Sequence, residues 1–336
     1  MKSKTRVFSV LILALVPFLS AQVRVNGYLS FNYLKGQEDA VDSGGTFRDS
    51  RAGLIFSGEL LEQRITYAAE ASVSAEGDVS LIQALSAFNL ADYFHLKMGL
   101  YVVPFGIYNT AHRPHQTMFV QPPLVMEFVM PDRWRDIGVL MEGKYRGIIY
   151  SAYIGNGLAE ESSLADGQQF TDNNKNKALG GKIGISVGQG FQAAYSHYRG
   201  KYDKNNARSI SLQGIDLSWV AETFVLRGEY IRGRLENPEG FSKAEVDGYY
   251  VNLSFELWGI RPVLGYQGLE YKDDYHGPGF SSGLGEGIEV SRSRWVLGAI
   301  YIPAENVLLK VEYDFNRTKG TDLKDNIFSV QVGLSF

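Results

Sequence analysis

The chain contains no cysteine and only 10 prolines among its 336 residues. The absence of cysteine excludes a disulfide-stapled scaffold and an enzyme with a thiol nucleophile. Positive charge is also scarce, because 33 lysines and arginines face 37 aspartates and glutamates, for a formal net charge of −4. This balance argues against a partner made of nucleic acid, which requires a basic surface. A hydrophobic content of 45%, with 13% aromatic residues, excludes low-complexity disorder.

Residues 1–21 have the three-part layout of a secretory signal peptide. Three basic residues among the first six precede an apolar run over residues 7–19, and Ser20 and Ala21 are small residues at a cleavage point. A membrane anchor is the alternative, but this run is too short to cross about 30 Å of hydrocarbon as a helix. Cleavage after Ala21 removes three positive charges, so the formal net charge falls from −4 to −7.

The remaining sequence, residues 22–336, alternates between apolar and polar residues with a period of two. No apolar run in it approaches the roughly 20 residues of a transmembrane helix. In the last segment Val330, Val332 and Leu334 share one face, which is typical of a strand with one apolar and one wet side. About sixteen such segments begin near residues 22, 46, 62, 80, 94, 135, 146, 178, 190, 208, 222, 245, 260, 288, 305 and 326.

The connections alternate between tight turns and long polar loops. The long polar loops span residues 36–45, 155–177, 201–207, 237–243, 272–287 and 319–325. Short turns at one rim and long loops at the other are typical of outer-membrane barrels, and closure leaves no strand edge unpaired in lipid. The sequence therefore predicts an all-β protein, a transmembrane antiparallel β-barrel of about sixteen strands in the bacterial outer membrane. Its short turns would be periplasmic and its long loops extracellular.

The final residue, Phe336, lies on the apolar face of the last predicted strand. This ending resembles the terminal strand that bacterial outer-membrane barrels present to their assembly machinery. The expected partners are that machinery, outer-membrane lipid and lipopolysaccharide, together with small solutes.

One long stretch, residues 104–135, departs from the alternation and holds five of the ten prolines. Loops of this length inside a compact fold are usually functional, and this one is too apolar to be disordered. We expect it to fold inward and narrow the pore, with arginines that grip phosphate or carboxylate groups. In the alternative, Arg133 and Arg135 only pair with Asp132 and Asp136. The candidate residues of the constriction and solute pathway are His112, Arg113, His115, Arg133, Arg135, Lys97, Arg51, Arg64, Arg292 and Arg294.

The face predicted to point inward carries charges of both signs. The candidate inward cations are Arg24, Arg51, Arg64, Lys97, Lys144, Lys182, Arg227, Arg261, Arg292, Arg294 and Lys310. The candidate inward anions are Glu59, Glu70, Glu142, Asp216, Glu229, Glu256, Glu312 and Asp314. Facing rows of opposite charge would create a transverse field that tunes ion preference. Alternatively, most of these charges pair across strands and only keep the lumen wet.

Three segments carry a family resemblance. Residues 96–106 include the pattern Gly-x-x-x-x-Pro-Phe-Gly, residues 135–143 follow about 30 positions later, and residues 47–58 form an early arginine-bearing strand. Together they resemble the phosphate-selective porin (O and P) family and related porin-like barrels. The resemblance implies a sixteen-stranded trimeric channel in which a basic ladder and constricting loops select anions.

The sequence gives little support to catalysis. Residues 184–188 match G-x-S-x-G, but they lie within an alternating strand rather than between a strand and a helix. His112 and His115 lack partners at metal-ligand spacing. We therefore predict no enzyme, cofactor or metal. The predicted function is a porin for passive diffusion of small hydrophilic solutes, and the resemblance adds a preference for phosphate-like anions. The alternatives are a structural or adhesin-type barrel with a blocked lumen and a fatty-acid-type transport barrel.

Overall fold

The computed structural model describes residues 23–161, 164–188, 190–237, 243–273 and 290–336. The predicted signal peptide and the predicted strand start at residue 288 therefore lie outside the described residues. Among the residues that are described, no helix is both long and apolar enough to cross a membrane.

Sixteen long strands and one strand of two residues make up most of the described chain. The strands are β1 (Val23–Gly36), β2 (Thr46–Phe47), β3 (Arg51–Leu60), β4 (Ile65–Ser74), β5 (Val79–Ala91), β6 (Phe94–Val102), β7 (Arg135–Tyr145), β8 (Ile148–Gly155), β9 (Ala178–Val187), β10 (Phe191–Lys201), β11 (Ser209–Val220), β12 (Phe224–Leu235), β13 (Ala244–Phe255), β14 (Ile260–Asp273), β15 (Arg292–Ala304), β16 (Val307–Thr318) and β17 (Ile327–Ser335). A short helix, α1 (Leu124–Phe128), and a single 3₁₀ turn (Leu164–Asp166) complete the regular elements of these ranges.

The sheet closes on itself. Each long strand from β3 onward pairs antiparallel with the next one, and β1 pairs with both β3 and β17. The two-residue strand β2 adds to the loop end of β1. This closure confirms the predicted antiparallel barrel of sixteen strands. Most predicted strand starts fall within three residues of the observed ones, because the period of two is unambiguous wherever one face is apolar.

The distribution of burial is the reverse of that in a water-soluble protein. On β1, Phe31 points outward and is exposed, whereas its neighbours Ser30 and Asn32 point inward and are buried. The same inversion recurs on β16, where Val311 is exposed and Glu312 is buried. An apolar outer surface around a polar interior is suited to lipid outside and polar groups inside.

Aromatic side chains gather at both ends of the outer wall. Near the tight turns, the rings of Tyr93 and Tyr145 lie 5.3 Å apart. Near the long loops, the rings of Tyr266 and Trp295 lie 4.6 Å apart. Amphipathic rings favour the boundary between hydrocarbon and headgroups, so these two belts mark the membrane interfaces.

The seam between β1 and β17 extends to Phe336. The Gly27 amide donates to the Phe336 carbonyl over 2.9 Å, and the Phe336 amide donates to the Gly27 carbonyl over 3.0 Å. The Phe336 ring lies directly over Gly27, since a Cβ at that position would be 2.4 Å from the ring. Only glycine leaves room for the ring at this point of the seam.

We expect Gly27→Ala to destabilise the barrel by about 1–3 kcal/mol, because the new methyl group forces the Phe336 ring out of its place. The measurement is the free energy of unfolding in a urea titration of the protein folded into lipid vesicles. Gly44→Ala is the matched control, because a Cβ at Gly44 meets nothing within 4 Å. Equal unfolding free energies for the two variants would contradict this account of the seam.

Candidate functional site

The connection between β6 and β7, residues 103–134, is the segment that we call the inner loop. Asn109 ties its two ends together: its side-chain amide donates to the carbonyls of Val103 and Trp134 over 2.8 and 3.0 Å. The Trp134 amide in turn donates to the Asn109 side-chain oxygen over 2.7 Å. These bonds close the neck of the inner loop and fix where it leaves the barrel wall.

One side of the inner loop is apolar and packs against inward-facing residues of the wall. Phe105 and Trp134 are fully buried, and the Trp134 ring lies 4.8 Å from the ring of Tyr198 on β10. The helix α1 presses Val125 against Gly248 on β13, where a Cβ would lie 2.5 Å from the valine side chain. The inner loop and this wall therefore share a single hydrophobic core.

Two buried carboxylates hold the backbone of the inner loop. Glu229 on β12 is 3% exposed and accepts hydrogen bonds from the amides of Ile107 and Tyr108 over 2.9 and 2.6 Å. Glu312 on β16 is 2% exposed and accepts from the amides of Val120 and Gln121 over 2.7 and 3.0 Å. These four hydrogen bonds are buried from water, and they fix two separate turns of the inner loop.

Inward-facing cations bind carbonyl groups of the inner loop. Lys182 donates to the Gly106 carbonyl over 2.8 Å, and Lys310 donates to the Pro114 carbonyl over 2.7 Å. Arg294 donates to the Pro122 carbonyl over 3.1 Å and pairs with Glu127 at 3.3 Å. Beside it, the Arg292 guanidinium lies 4.5 Å from the centre of the Phe128 ring. These cations face inward as expected, but they stabilise the inner loop rather than form an open basic ladder.

The other side of the inner loop reaches strand β4. Glu70, which is 0% exposed, accepts from His112 over 3.1 Å and from Arg113 over 2.7 Å. We call these three residues the clasp. The inner loop is thus attached to the wall at β4 as well as at β10–β16.

A polar cavity of about 350 Å³ lies between the inner loop and the wall formed by β1, β3 and β17. Asn32 and Gln331 line its wall side, and the Gln331 side-chain amide donates to the Asn32 oxygen over 3.0 Å. Arg51 and Arg133 line it as well, and both contact the carboxylate of Asp132, at 3.3 and 3.0 Å. Two guanidinium groups therefore share one carboxylate at this cavity.

The electrostatics of the inner loop follow from these contacts. Partial burial alone would raise the pKa of Asp132, but the guanidinium groups of Arg51 and Arg133 outweigh it and hold that pKa below its usual range. Burial, together with Arg113 and Lys310, lowers the pKa of His115, so His115 is neutral at neutral pH.

Of the predicted pathway residues, the cavity brings together Arg51, His112 and Arg133. Arg135 lies elsewhere, on the outward face of β7. Its guanidinium donates to the Leu81 carbonyl over 2.7 Å and lies 5.1 Å from the centre of the Phe170 ring.

The remaining predicted positions sit apart from the cavity. Arg113 is engaged by Glu70 in the clasp, and His115 lies 6.1 Å from the ring of Tyr28. Lys97 pairs with Glu142 at 2.6 Å on the wall. Arg64 immediately precedes β4 at the tight-turn end of the barrel.

Several cavity residues were not among the sequence candidates. They include Arg48 and Asp49 in the β2–β3 connection, Asp166 in the loop after β8, and the amides Asn32 and Gln331. Asn32 and Gln331 had a signal in the sequence, since both occupy polar positions of alternating strands. The contact site of α1 on the wall also had a signal in the sequence, because a glycine, Gly248, occupies a strand position where a larger residue would be usual.

At the level of sequence, comparison with known proteins finds little. No protein-family model matches the sequence. An uncharacterised protein of Aquifex aeolicus (strain VF5) is 23% identical over 147 residues, which are 41% of this chain and 33% of that protein. The matched region thus spans about a third of that relative.

Solved structures resemble nearly the whole chain at low sequence identity. The outer membrane channel DcaP of Acinetobacter baumannii has a TM-score of 0.69 at 16% identity, covering 94% of this chain and 97% of that one. The anion-selective porin from Comamonas acidovorans has a TM-score of 0.68 at 14% identity, covering 94% and 99%. OmpF of Salmonella typhi has a TM-score of 0.67 at 14% identity, covering 94% and 97%. The fold is that of the outer-membrane porins.

We expect Glu312→Ala to loosen the inner loop locally, because the amides of Val120 and Gln121 lose their acceptor. Leaving a buried amide without its acceptor costs about 1–3 kcal/mol, so amide exchange at residues 120–121 is expected to accelerate about fivefold or more. Hydrogen–deuterium exchange read by mass spectrometry measures this. Glu256→Ala, which removes an exposed partner of Arg261, is the control. Unchanged exchange at residues 120–121 would show that Glu312 does not anchor the inner loop.

Proposed function

We propose that the protein is a porin, a passive channel for small polar solutes across the outer membrane. The observation that carries the proposal is the polar cavity between the inner loop and β1, β3 and β17, inside a closed barrel whose outer face is apolar. Amide and charged groups line it, as expected for a path that replaces part of a solute's hydration shell. The proposal assigns no catalytic step to the barrel.

Two proteins of similar structure support a channel role, because both are described as channels. One is described as an anion-selective porin and another as an outer membrane channel, and both share the fold over nearly their full length. At 14% and 16% identity they lend support at the level of architecture. The resemblance of residues 96–106 and 135–143 to the phosphate-selective porin family points in the same direction.

We further propose a modest preference for anions. Arg51 and Arg133 share the carboxylate of Asp132, so positive charge is in local excess at this point of a cavity whose whole lining holds three arginines and four carboxylates. A steep, phosphate-specific preference is a weaker proposal, because Lys310 and Arg294 are engaged by carbonyls of the inner loop. Small anions are therefore the solute class, with inorganic phosphate as one member.

A structural barrel with a blocked lumen is the second candidate. This candidate is favoured because the inner loop occupies much of the barrel interior. The hydrophobic core and the clasp attach the inner loop to opposite sides of the wall. Conduction by the purified protein separates the two functions.

Assembly as a homotrimer is also part of the proposal. A trimeric form of OmpT from Vibrio cholerae is among the structures that share the fold, with a TM-score of 0.63. Sedimentation of the detergent-solubilised protein tests the stoichiometry.

The first experiment is single-channel recording of the purified protein in a planar bilayer under a salt gradient. We expect stepwise openings with an anion-selective reversal potential. A cation-selective or neutral reversal potential would still support a porin but would contradict the proposed preference for anions. No openings from protein with the circular dichroism of a folded barrel would favour the blocked barrel.

We expect Arg51→Gln with Arg133→Gln to shift the reversal potential toward cations. A unit charge about 6 Å from an ion contributes roughly 0.7 kcal/mol in water, or about threefold in local ion concentration. The matched control is Arg146→Gln with Arg199→Gln, which removes the same charge from a tight turn and from the outward face of β10. An equal shift in both double variants would mean that the cavity does not set selectivity.

We expect Glu70→Ala to raise single-channel conductance by up to about twofold, because the clasp then releases one side of the inner loop into a wider pore. Glu142→Ala is the control, since it removes a wall carboxylate whose partner is Lys97. Identical conductance in Glu70→Ala and in the unmodified protein would show that the inner loop keeps its position without the clasp.

A further inference from the structure

The outward face of the barrel changes character near the extracellular ends of β12 and β13. On β12, Arg232 and Arg234 follow Tyr230 on the same face, two and four residues closer to the loop end. On β13, the paired positions are Asp247 and Glu245. A strand advances about 3.3 Å per residue, so these charges lie roughly 7–13 Å beyond the aromatic belt along the strands.

Strands β4 to β9 carry apolar side chains at comparable outward positions. At matching outward positions near the loop ends, β4 carries Val73, β5 carries Leu81, β7 carries Ile137 and β9 carries Leu179. All four side chains are exposed. Single outward cations also occur near the loop ends of other strands, at Lys35, Arg135 and Arg317, whereas β12–β14 carry several charged side chains together.

The cations of this sector are held in place by their neighbours. Arg232 donates to Asp247 through Nε and Nη2 over 2.7 and 2.9 Å, and also to the Tyr230 hydroxyl over 2.8 Å. Arg234 donates to Glu245 over 2.7 Å, and Lys272 donates to Glu245 over 3.0 Å. The carboxylates fix the cations at the edge of the membrane.

Arg199 on β10 extends the same sector. Ser211 on β11 pairs with both Arg199 and Arg234, so one strand separates the two arginines. At about 4.8 Å per strand, their backbones are roughly 10 Å apart. Arg199 is exposed and makes no ion pair with any described residue. Among the bonds to described residues, none uses Nη1 of Arg232.

We propose that Arg199, Arg232, Arg234 and Lys272 form a binding surface, the rim patch, for phosphate groups of the outer-leaflet lipid. Three arguments support it. The patch faces outward at headgroup height, directly beyond the aromatic belt. Its guanidinium groups match the geometry of a phosphate. The neighbouring carboxylates restrain those groups before the lipid arrives, which lowers the entropy cost of binding.

The rim patch does not rest on the proposed channel function, because it lies on the outside of the barrel. The rim patch would be the binding site of the lipid partner, and this side of the barrel would stay in contact with lipid. Conduction and lipid binding can therefore fail independently.

The test is the affinity of the purified full barrel in detergent for lipid A carrying two phosphates, measured by native mass spectrometry. Dephosphorylated lipid A is the parallel probe. We expect Arg199→Gln with Arg232→Gln and Arg234→Gln to weaken binding of the diphosphorylated lipid about a hundredfold at low salt, since each basic residue beside an anionic headgroup contributes roughly fivefold. Binding of the dephosphorylated lipid should be weak and equal in both proteins.

The matched control is Lys35→Gln with Lys319→Gln and Lys324→Gln, which removes three positive charges from the extracellular side near β1, β16 and β17. We expect this control to bind as the unmodified protein does. Equal losses in both triple variants would mean that net charge alone attracts the lipid and would overturn the rim patch, as would an unchanged affinity in the arginine variant.

Two single variants keep the test decisive if the triple variant does not fold. Arg199→Gln removes an exposed cation without an ion-pair partner among the described residues, and we expect about a fivefold loss of affinity. Asp247→Asn keeps an oxygen acceptor for Arg232 and removes one negative charge from beside the patch, so we expect tighter binding of the diphosphorylated lipid. Weaker binding by Asp247→Asn together with no change in Arg199→Gln would overturn the proposal.

Discussion

Closure of the sheet is the constraint on which the rest of the molecule depends. A backbone amide or carbonyl in hydrocarbon has no water to bond, so each one needs a partner inside the protein. The pairing of β1 with both β3 and β17 supplies those partners around the whole wall. Closure also separates two environments, and the period-two alternation sends apolar side chains to one and polar side chains to the other. The polar interior is thus a consequence of the wall.

A sixteen-stranded wall encloses more space than its own side chains fill. The inner loop takes up part of that space in two physically different ways. Towards β10–β14 it builds a dry core around Trp134, where glycines such as Gly248 allow close approach. Backbone amides of the inner loop would lack partners in the interior, but the buried carboxylates of Glu229 on β12 and Glu312 on β16 accept hydrogen bonds from them. Towards β1, β3 and β17 it leaves polar groups beside a cavity.

The sequence predicts the strands and the direction of each side chain well, because both depend only on local alternation. Arg135, which we expected in the constriction, shares the outward face of β7 with the apolar Ile137 and Val139, whereas Asp136 is buried on the other face. The partner of each inward charge is a different matter. Glu312 binds amides almost two hundred positions away, at residues 120 and 121, and no local pattern encodes that contact. The cavity is set by such long-range contacts.

The interior charges and the outer charges of this barrel therefore have different physical roles. Inside, Lys310 and Arg294 bind carbonyl and carboxylate groups of the inner loop, so they hold its shape. In the proposed channel, selectivity would depend on the few charges at the cavity, where Arg51 and Arg133 share one carboxylate. Because the inner loop is anchored on both sides, its geometry is fixed before a solute arrives. In the proposed channel, selection would therefore act through a fixed aperture, and the charges of Arg51, Arg133 and Asp132 at the cavity would count for more than the charges buried behind the inner loop.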